Sequence, residues 1–373
     1  MKLILAVDAI VPPLTGIGRY TWELARYYTM PESGLDRPRF FFAGHWVENP
    51  ASLLHPAISA AKPRRRIGQL PRMPAIWRRW NMRRQMEGHV FHSPNYFLPE
   101  AVDGGIVTVH DLSVFKYPET HPAERLRHFE QGFASTLRRA AHLITDSEAI
   151  RAEVVEYFGW PREKVTSIGL GAPAEFGPRA PGEIVAALAQ HGLTPGGYAL
   201  CVSTLEPRKR VDRLLEAYMA LPSALRSRYP LVLAGSKGWL SDNLQAQIAL
   251  GQSEGWLHYL GFVPESLLPL LYAGARAFLY PSVYEGFGLP VLEALTSGVP
   301  TLTSDCSSLP EVAGGAAWLV EPDHHEALRD GIELVLTDES WRANAIRRGL
   351  QVAAAHSWQQ CAAKTLALCK RFT

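Results

Sequence analysis

The stretch Pro281–Ala294 (PSVYEGFGLPVLEA) holds the densest set of groups able to do chemistry. Glu285 and Glu293 are separated by seven residues, with Gly286 and Gly288 between them and an apolar run before them that reads as a strand. Pro290 suits the first position of a helix. Glycines and a helix start at the carboxyl end of a strand expose backbone N–H groups, which suit an anion or the hydroxyls of a sugar. A carboxylate can accept two hydroxyl protons at once. Glu293, expected on the first helical turn, can therefore hold a ribose diol while Glu285 faces the reacting group. The plainer reading is two helix-start acids that favour the dipole.

The second signal is Ser203-Thr204-Leu205-Glu206-Pro207-Arg208-Lys209-Arg210, between an expected strand and an expected helix. Cations there can neutralise a pyrophosphate leaving group that would otherwise need a divalent metal. No Asp-x-Asp pair occurs in the chain, so the usual carboxylate seat for such a metal is missing and no metal or cofactor is expected. A solvated basic turn is the alternative. Gly16-Ile17-Gly18-Arg19-Tyr20 lies in the first strand–helix connection and reads as a glycine loop that lets backbone approach a phosphate. It is not a dinucleotide fingerprint: Thr21 stands at the third glycine position, and Arg39–Gly44 offers no acid for a ribose. His110-Asp111 follows the apolar run Ile106–Val109, where a histidine can donate to a substrate hydroxyl or share charge with a phosphate. A lone histidine is also an ordinary structural residue.

The elements that must position these groups alternate along the chain. Short apolar runs at Leu3–Asp8, Arg39–Ala43, Val90–His92, Ile106–His110 and His142–Thr145 read as strands. Gly18–Tyr28, Pro122–Arg139 and Ser147–Phe158 read as helices, the last capped by Ser147. The pattern dissolves into Gly, Pro and Ala around Gly169–Pro181, a linker, and then restarts. Tyr198–Ser203, Leu231–Ala234, Leu257–Leu260, Ala275–Tyr280 and Val299–Thr303 are strands; Val211–Leu221, a segment from Pro290, and segments from His324 to Arg371 are helices. This is the signature of βα units on parallel sheets, here two domains in series with the expected site in a cleft between them. Such sheets bind ligands at the carboxyl ends of their strands.

Composition narrows the function class. A chain of 373 residues with 47% apolar and 20% charged residues is an ordinary globular protein of about two domains. No apolar run reaches the length of a spanning helix, and the opening segment ends in Asp8 too soon for a signal peptide. Cys201, Cys306, Cys361 and Cys369 form no CxxC pair, which fits a reducing cytoplasm. The net charge of +2 conceals a segment, 62–84, with nine cations and no acid, leaving −7 for the rest. Met73, Ile76, Trp77 and Trp80 in it follow helical spacing with arginines opposite, as in a helix lying at an anionic membrane interface. Docking of that stripe on its own domain is the alternative; the acidic remainder argues against nucleic acid.

Together these residues resemble the retaining glycosyltransferases of family 4 with the GT-B architecture, two Rossmann-like βα domains facing across a cleft. The likeness covers nearly the whole chain and runs through Gly16–Gly18, His110-Asp111, Glu206–Lys209, the E-x7-E pair Glu285 and Glu293, Gly298-Val299-Pro300 and Leu309-Pro310-Glu311-Val312. It implies an N-terminal acceptor-binding domain over 1–175, a C-terminal nucleotide-sugar domain over 176–355, and a helix over 356–373 crossing back to the first domain. It implies Arg208 and Lys209 on the pyrophosphate, Glu293 on the ribose, and Glu285 with the backbone of Gly286, Phe287, Gly288 and Leu289 on the donor sugar. His110 would reach the transferred sugar, and Gly16 and Gly18 would face the phosphates. Many members carry Arg directly after the strand where this chain has Thr204; Arg208 would supply that charge. The stretch His110–Phe129 (HDLSVFKYPETHPAERLRHF) is similar to bacterial mannosyltransferases of O-antigen and exopolysaccharide synthesis, which implies GDP-mannose as donor. A polyprenyl-linked oligosaccharide would then be the acceptor, reached from the inner membrane surface through segment 62–84.

The resemblance further implies transfer with retained anomeric configuration by a front-face route, in which the leaving phosphate takes the acceptor proton inside an oxocarbenium-like ion pair. The sequence permits this, since no carboxylate is evidently poised as a covalent nucleophile. A UDP-sugar donor is an alternative. A sugar-nucleotide epimerase and a non-catalytic glycan-binding scaffold are rivals from other classes; formation of a new glycosidic linkage separates both from a transferase.

Overall fold

The computed structural model describes residues 1–14, 16–54, 75–120, 123–238 and 242–373. Two compact units divide the chain: Met1–Leu170 with Trp358–Thr373, and Gly171–Ser357.

The first unit is built on a seven-stranded sheet. Its strands are β1 (Leu3–Ala6), β2 (Arg39–Phe42), β3 (His45–Val47), β4 (Val90–Ser93), β5 (Ile106–Val109), β6 (His142–Thr145) and β7 (Val165–Ser167), in the order β3-β2-β1-β4-β5-β6-β7. All pairs are parallel except β2 with β3. Strands β1, β4, β5 and β6 are buried at every position, the mark of a parallel sheet covered by helices on both faces. Ser147 caps the helix Glu148–Phe158 by accepting from the Ile150 N–H at 3.2 Å, and Gly159 ends it in a left-handed turn. The terminal helix Trp358–Cys369 is part of this unit and packs against the helix Gly16–Tyr28, with the Tyr20 and Trp358 rings 6.4 Å apart. The Gly16–Gly18 stretch is not a loop. Helix begins at Gly16, so both glycines sit in its first turn, and the change of direction falls on the residues after β1 instead.

The basic segment is described only in part. Residues 62–74, with Lys62, Arg64, Arg65, Arg66, Arg72 and Met73, lie outside the described residues. The helix Ala75–Met86 leaves Trp77 and Trp80 59% and 55% exposed, in edge contact with each other. Among the described residues no helix is long and apolar enough to cross a membrane.

The second unit carries a six-stranded parallel sheet. Its strands are β8 (Ala199–Val202), β9 (Leu231–Ala234), β10 (Leu257–Gly261), β11 (Ala277–Tyr280), β12 (Thr301–Ser304) and β13 (Trp318–Val320), in the order β10-β9-β8-β11-β12-β13. The chain winds outward from β8 in one direction, then restarts at β11 on its other side. Loops leaving the carboxyl ends of β8 and β11 therefore flank the crevice where such sheets bind ligands. Leu214 and Tyr218 of the helix Val211–Met219 pack with Leu231, Leu233, Leu279 and Val335 in the core beneath it.

Candidate active site

The loop after β8 turns through Pro207–Lys209 as one short 3-10 turn, and Arg210 adopts a left-handed conformation (φ 51°) before the helix Val211–Met219. The loop is seated on the turn after β9. A Cβ at Gly235 would stand 1.8 Å from the Ser203 carbonyl oxygen, and one at Gly238 2.0 Å from that of Leu205. Glycine is required at both places because two backbones meet there. The result is that Arg208 and Lys209 turn toward the loop after β11 rather than into solvent.

Those two loops lock together. The Arg208 carbonyl accepts from the Val283 N–H at 2.9 Å, and the Arg208 guanidinium donates to the Tyr284 carbonyl at 3.0 Å. Lys209 Nζ pairs with Glu285 Oε1 and donates to the Tyr280 hydroxyl at 2.8 Å, and that hydroxyl donates in turn to Glu285 Oε1 at 2.8 Å. Arg208 adds a second cation, 3.5 Å from Glu285 Oε2. Burial pushes the Glu285 carboxyl up, but Lys209 and Arg208 outweigh it and hold the group at about 2. Burial lowers the Lys209 ammonium below the usual lysine range, and Glu285 opposes that shift. The side chains of Lys209 and Glu285 are about nine-tenths buried. Glu206 braces the turn, accepting from Arg208 Nε and Thr204 Oγ1, each at 3.1 Å.

The helix Leu289–Thr296 starts one residue earlier than its proline suggests, with Gly288 (φ 107°) as its cap and Pro290 in second place. Glu293 consequently lies past the first turn, which contains no acid, so stabilisation of the helix dipole does not account for it. It is half-buried, close enough to the buried Tyr272 to raise that phenol's pKa beyond what burial does. The backbone of Gly286, Phe287, Gly288 and Leu289 leads directly into this helix start, where Pro290 has no N–H and the Val291 N–H already meets the Gly288 carbonyl at 3.0 Å, so the Leu289 N–H is the one first-turn donor with no intrahelical carbonyl. Cations, a fixed carboxylate and a helix start thus gather at one strand edge, an arrangement able to bind a diphosphate beside a polyol. Among the described residues no group of three or more His, Cys, Asp or Glu side chains is gathered as a metal centre.

His110 and Asp111 follow β5 in the first unit. His110 is buried, with Nδ1 2.7 Å from Asp146 Oδ2 and Nε2 2.8 Å from the Pro94 carbonyl oxygen. Both partners are acceptors, so a sugar hydroxyl would compete with Pro94 for the Nε2 proton. Burial works against the imidazolium, and Asp146 and Pro94 outweigh it, raising the pKa of His110 above its ordinary value. The Asp111 carboxylate caps the next turn, accepting from the Ser113 N–H at 2.8 Å and the Ser113 hydroxyl at 2.7 Å. Asp146, Tyr280, Ser307 and Ser308 have no motif in the sequence. The only signal for them is position, since each lies at or just past the carboxyl end of a strand.

Similarity to known proteins agrees with this geometry. Residues 189–352, which contain both locked loops, match the family described as Glycosyl transferases group 1. O-antigen chain mannosyltransferase B of Escherichia coli is 38% identical over 98% of this chain and 98% of its own. The serotype-specific mannosyltransferase WbdA, also from Escherichia coli, is 30% identical over 73% of this chain, which corresponds to 34% of that longer protein. Two solved structures share the fold. WaaG, a glycosyltransferase involved in lipopolysaccharide biosynthesis, has a TM-score of 0.72 at 16% identity, covering 98% of this chain and 99% of its own. Anabaena Alr3699/HepE, solved with UDP and glucose, has a TM-score of 0.73 at 18% identity over the full length of both chains. With two Rossmann-like units, a matched second unit and a relative 38% identical from end to end, the chain belongs to the group 1 glycosyltransferases, enzymes of the GT-B fold.

Proposed function

We propose that this protein transfers mannose from GDP-mannose to a hydroxyl of a lipid-linked glycan, with retention at the anomeric carbon. The observation that carries the reading is the buried Lys209–Glu285 pair, with Arg208 beside it, at the crevice between β8 and β11. Arg208 and Lys209 stabilise charge on the departing diphosphate, a contribution of roughly 3–4 kcal/mol for one such group. Glu285, kept ionised by the same cations, orients the hexose together with the backbone of Gly286–Leu289. Glu293 takes the ribose hydroxyls. For the first unit, His110 is assigned to the transferred sugar, Asp111 to the substrate, and Gly16 with Gly18 to the phosphates. In the front-face route the leaving phosphate oxygen accepts the acceptor proton as the new glycosidic bond forms.

The mannosyl assignment is supported by the relatives named as O-antigen mannosyltransferases and by the resemblance of His110–Phe129. Segment 62–84 is proposed to hold the enzyme at the inner membrane face, next to its polyprenyl-linked acceptor; exposed Trp77 and Trp80 support this. The deciding experiment is thermal denaturation with GDP, UDP and ADP, followed by transfer from the matching mannose donor. A ligand at about one hundred times its Kd stabilises by about 2.7 kcal/mol. GDP alone should raise the melting temperature clearly. A larger response to UDP overturns the donor, and hydrolysis or epimerisation without a new linkage overturns the transfer.

A further inference from the structure

Two serines outside the Glu285 stretch hold its peptide. They belong to the turn Asp305–Ser308, which leaves β12 at the same edge of the sheet. Ser307 Oγ accepts from the Glu285 N–H at 3.1 Å and donates to the Glu285 carbonyl at 2.8 Å. Ser308 Oγ lies 2.8 Å from that carbonyl oxygen and 2.7 Å from the Phe287 carbonyl oxygen, sharing its one proton between two acceptors. Ser308 is wholly buried, and Ser307 sits in the left-handed region at φ 57°. Backbone there is strained for a non-glycine residue and persists where the surroundings over-determine it. Glu285 is therefore fixed at both ends, its peptide by the two hydroxyls and its carboxylate by Lys209 and Tyr280.

We propose that Ser307 and Ser308 are positioning residues for the donor hexose. They set the peptide from which the Glu285 carboxylate addresses the sugar, and they touch no substrate themselves. This rests on the reading of Glu285 as a contact to the donor sugar. A misplacement of about 1 Å in such a group can slow a reaction a hundredfold.

Ser307→Gly is the informative variant, because glycine accepts the left-handed conformation while the hydroxymethyl group that carries both hydrogen bonds is removed. Ser308→Ala is its companion, and both are compared alone and combined with Glu285→Gln. The expected result is a kcat for mannosyl transfer lowered about tenfold or more, with KM for GDP-mannose and calorimetric affinity for GDP held within about twofold. Added to Glu285→Gln, neither serine change should slow transfer further, because both act through the same carboxylate. Unchanged kcat in both serine variants, loss of GDP affinity in parallel with kcat, or losses that multiply in the double variants would overturn the proposal. Full turnover by Glu285→Gln alone would instead defeat the reading of Glu285 on which it stands.

Discussion

Replacing Lys209 by Met removes the cation from an ion pair whose side chains are only 8% and 11% exposed. Methionine fills a similar volume, so the change is one of charge rather than of packing. Losing one partner of a buried pair costs roughly 3–5 kcal/mol, because the other charge stays behind without its counterion. Arg208 at 3.5 Å and the Tyr280 hydroxyl at 2.8 Å remain on Glu285, which places the expected loss near the lower end, about 3 kcal/mol. A domain stable by about 5–15 kcal/mol remains folded at 25 °C with that deficit. Turnover should fall more visibly, by about a hundredfold to a thousandfold, if Lys209 stabilises charge that develops only as the phosphate departs. The assay pairs initial rates of mannosyl transfer with denaturant unfolding of each variant. The double variant Lys209→Met with Glu285→Gln removes both charges and should recover most of the lost stability without recovering turnover. Turnover of Lys209→Met within about threefold of the parent would refute the catalytic assignment. Lost stability below about 1 kcal/mol would refute the buried pair itself.

Three further outcomes follow from named residues. His92 is fully buried, its one hydrogen bond among the described residues being to Thr108 Oγ1 (2.9 Å), and burial lowers its pKa to about 3. The unfolded chain takes up a proton below about pH 6.5 that the native state refuses. Stability is therefore whole above that pH and falls by up to roughly 1.4 kcal/mol per pH unit on the way down toward 3; His92→Gln should flatten that slope in unfolding measurements, and an unchanged slope would discard the attribution. Gly288→Ala places a Cβ 2.9 Å from Leu309 Cδ2 at φ 107°, so it should destabilise by about 1–3 kcal/mol and slow transfer with it, as melting and rate measurements would show. Trp77→Ala with Trp80→Ala should reduce sedimentation with anionic vesicles several-fold while leaving transfer to a short water-soluble acceptor intact; undiminished sedimentation removes the indoles from any lipid contact.

The alternation of apolar runs with helical stretches made two βα units legible, because a strand buried on both faces of a parallel sheet is mostly apolar, as β1, β8 and β9 are from end to end. The short edge strands β3 and β13 were not legible, since each is three residues long and carries an exposed position. Helix limits shifted for local reasons: helix begins at Gly16 and at Leu289, one or two residues ahead of the punctuation that suggested them. The exposure of Trp77 and Trp80 was undecided by spacing, which gives a helix the same stripe whether it is covered or bare.

By itself, the order of residues determined which side chains stand at strand ends: Lys209 after β8, Glu285 after β11, His110 after β5. It also determined that two carboxylates with seven residues between them stand where a strand end leads into a helix. Tertiary structure alone decided who meets whom. Lys209 and Glu285 are 76 positions apart and His110 and Asp146 are 36 apart, and the first pair forms only because β8 and β11 are neighbours in the sheet. Periodicity is a local property set by the geometry of one element, whereas partnership depends on strand order and loop seating, which no single segment encodes.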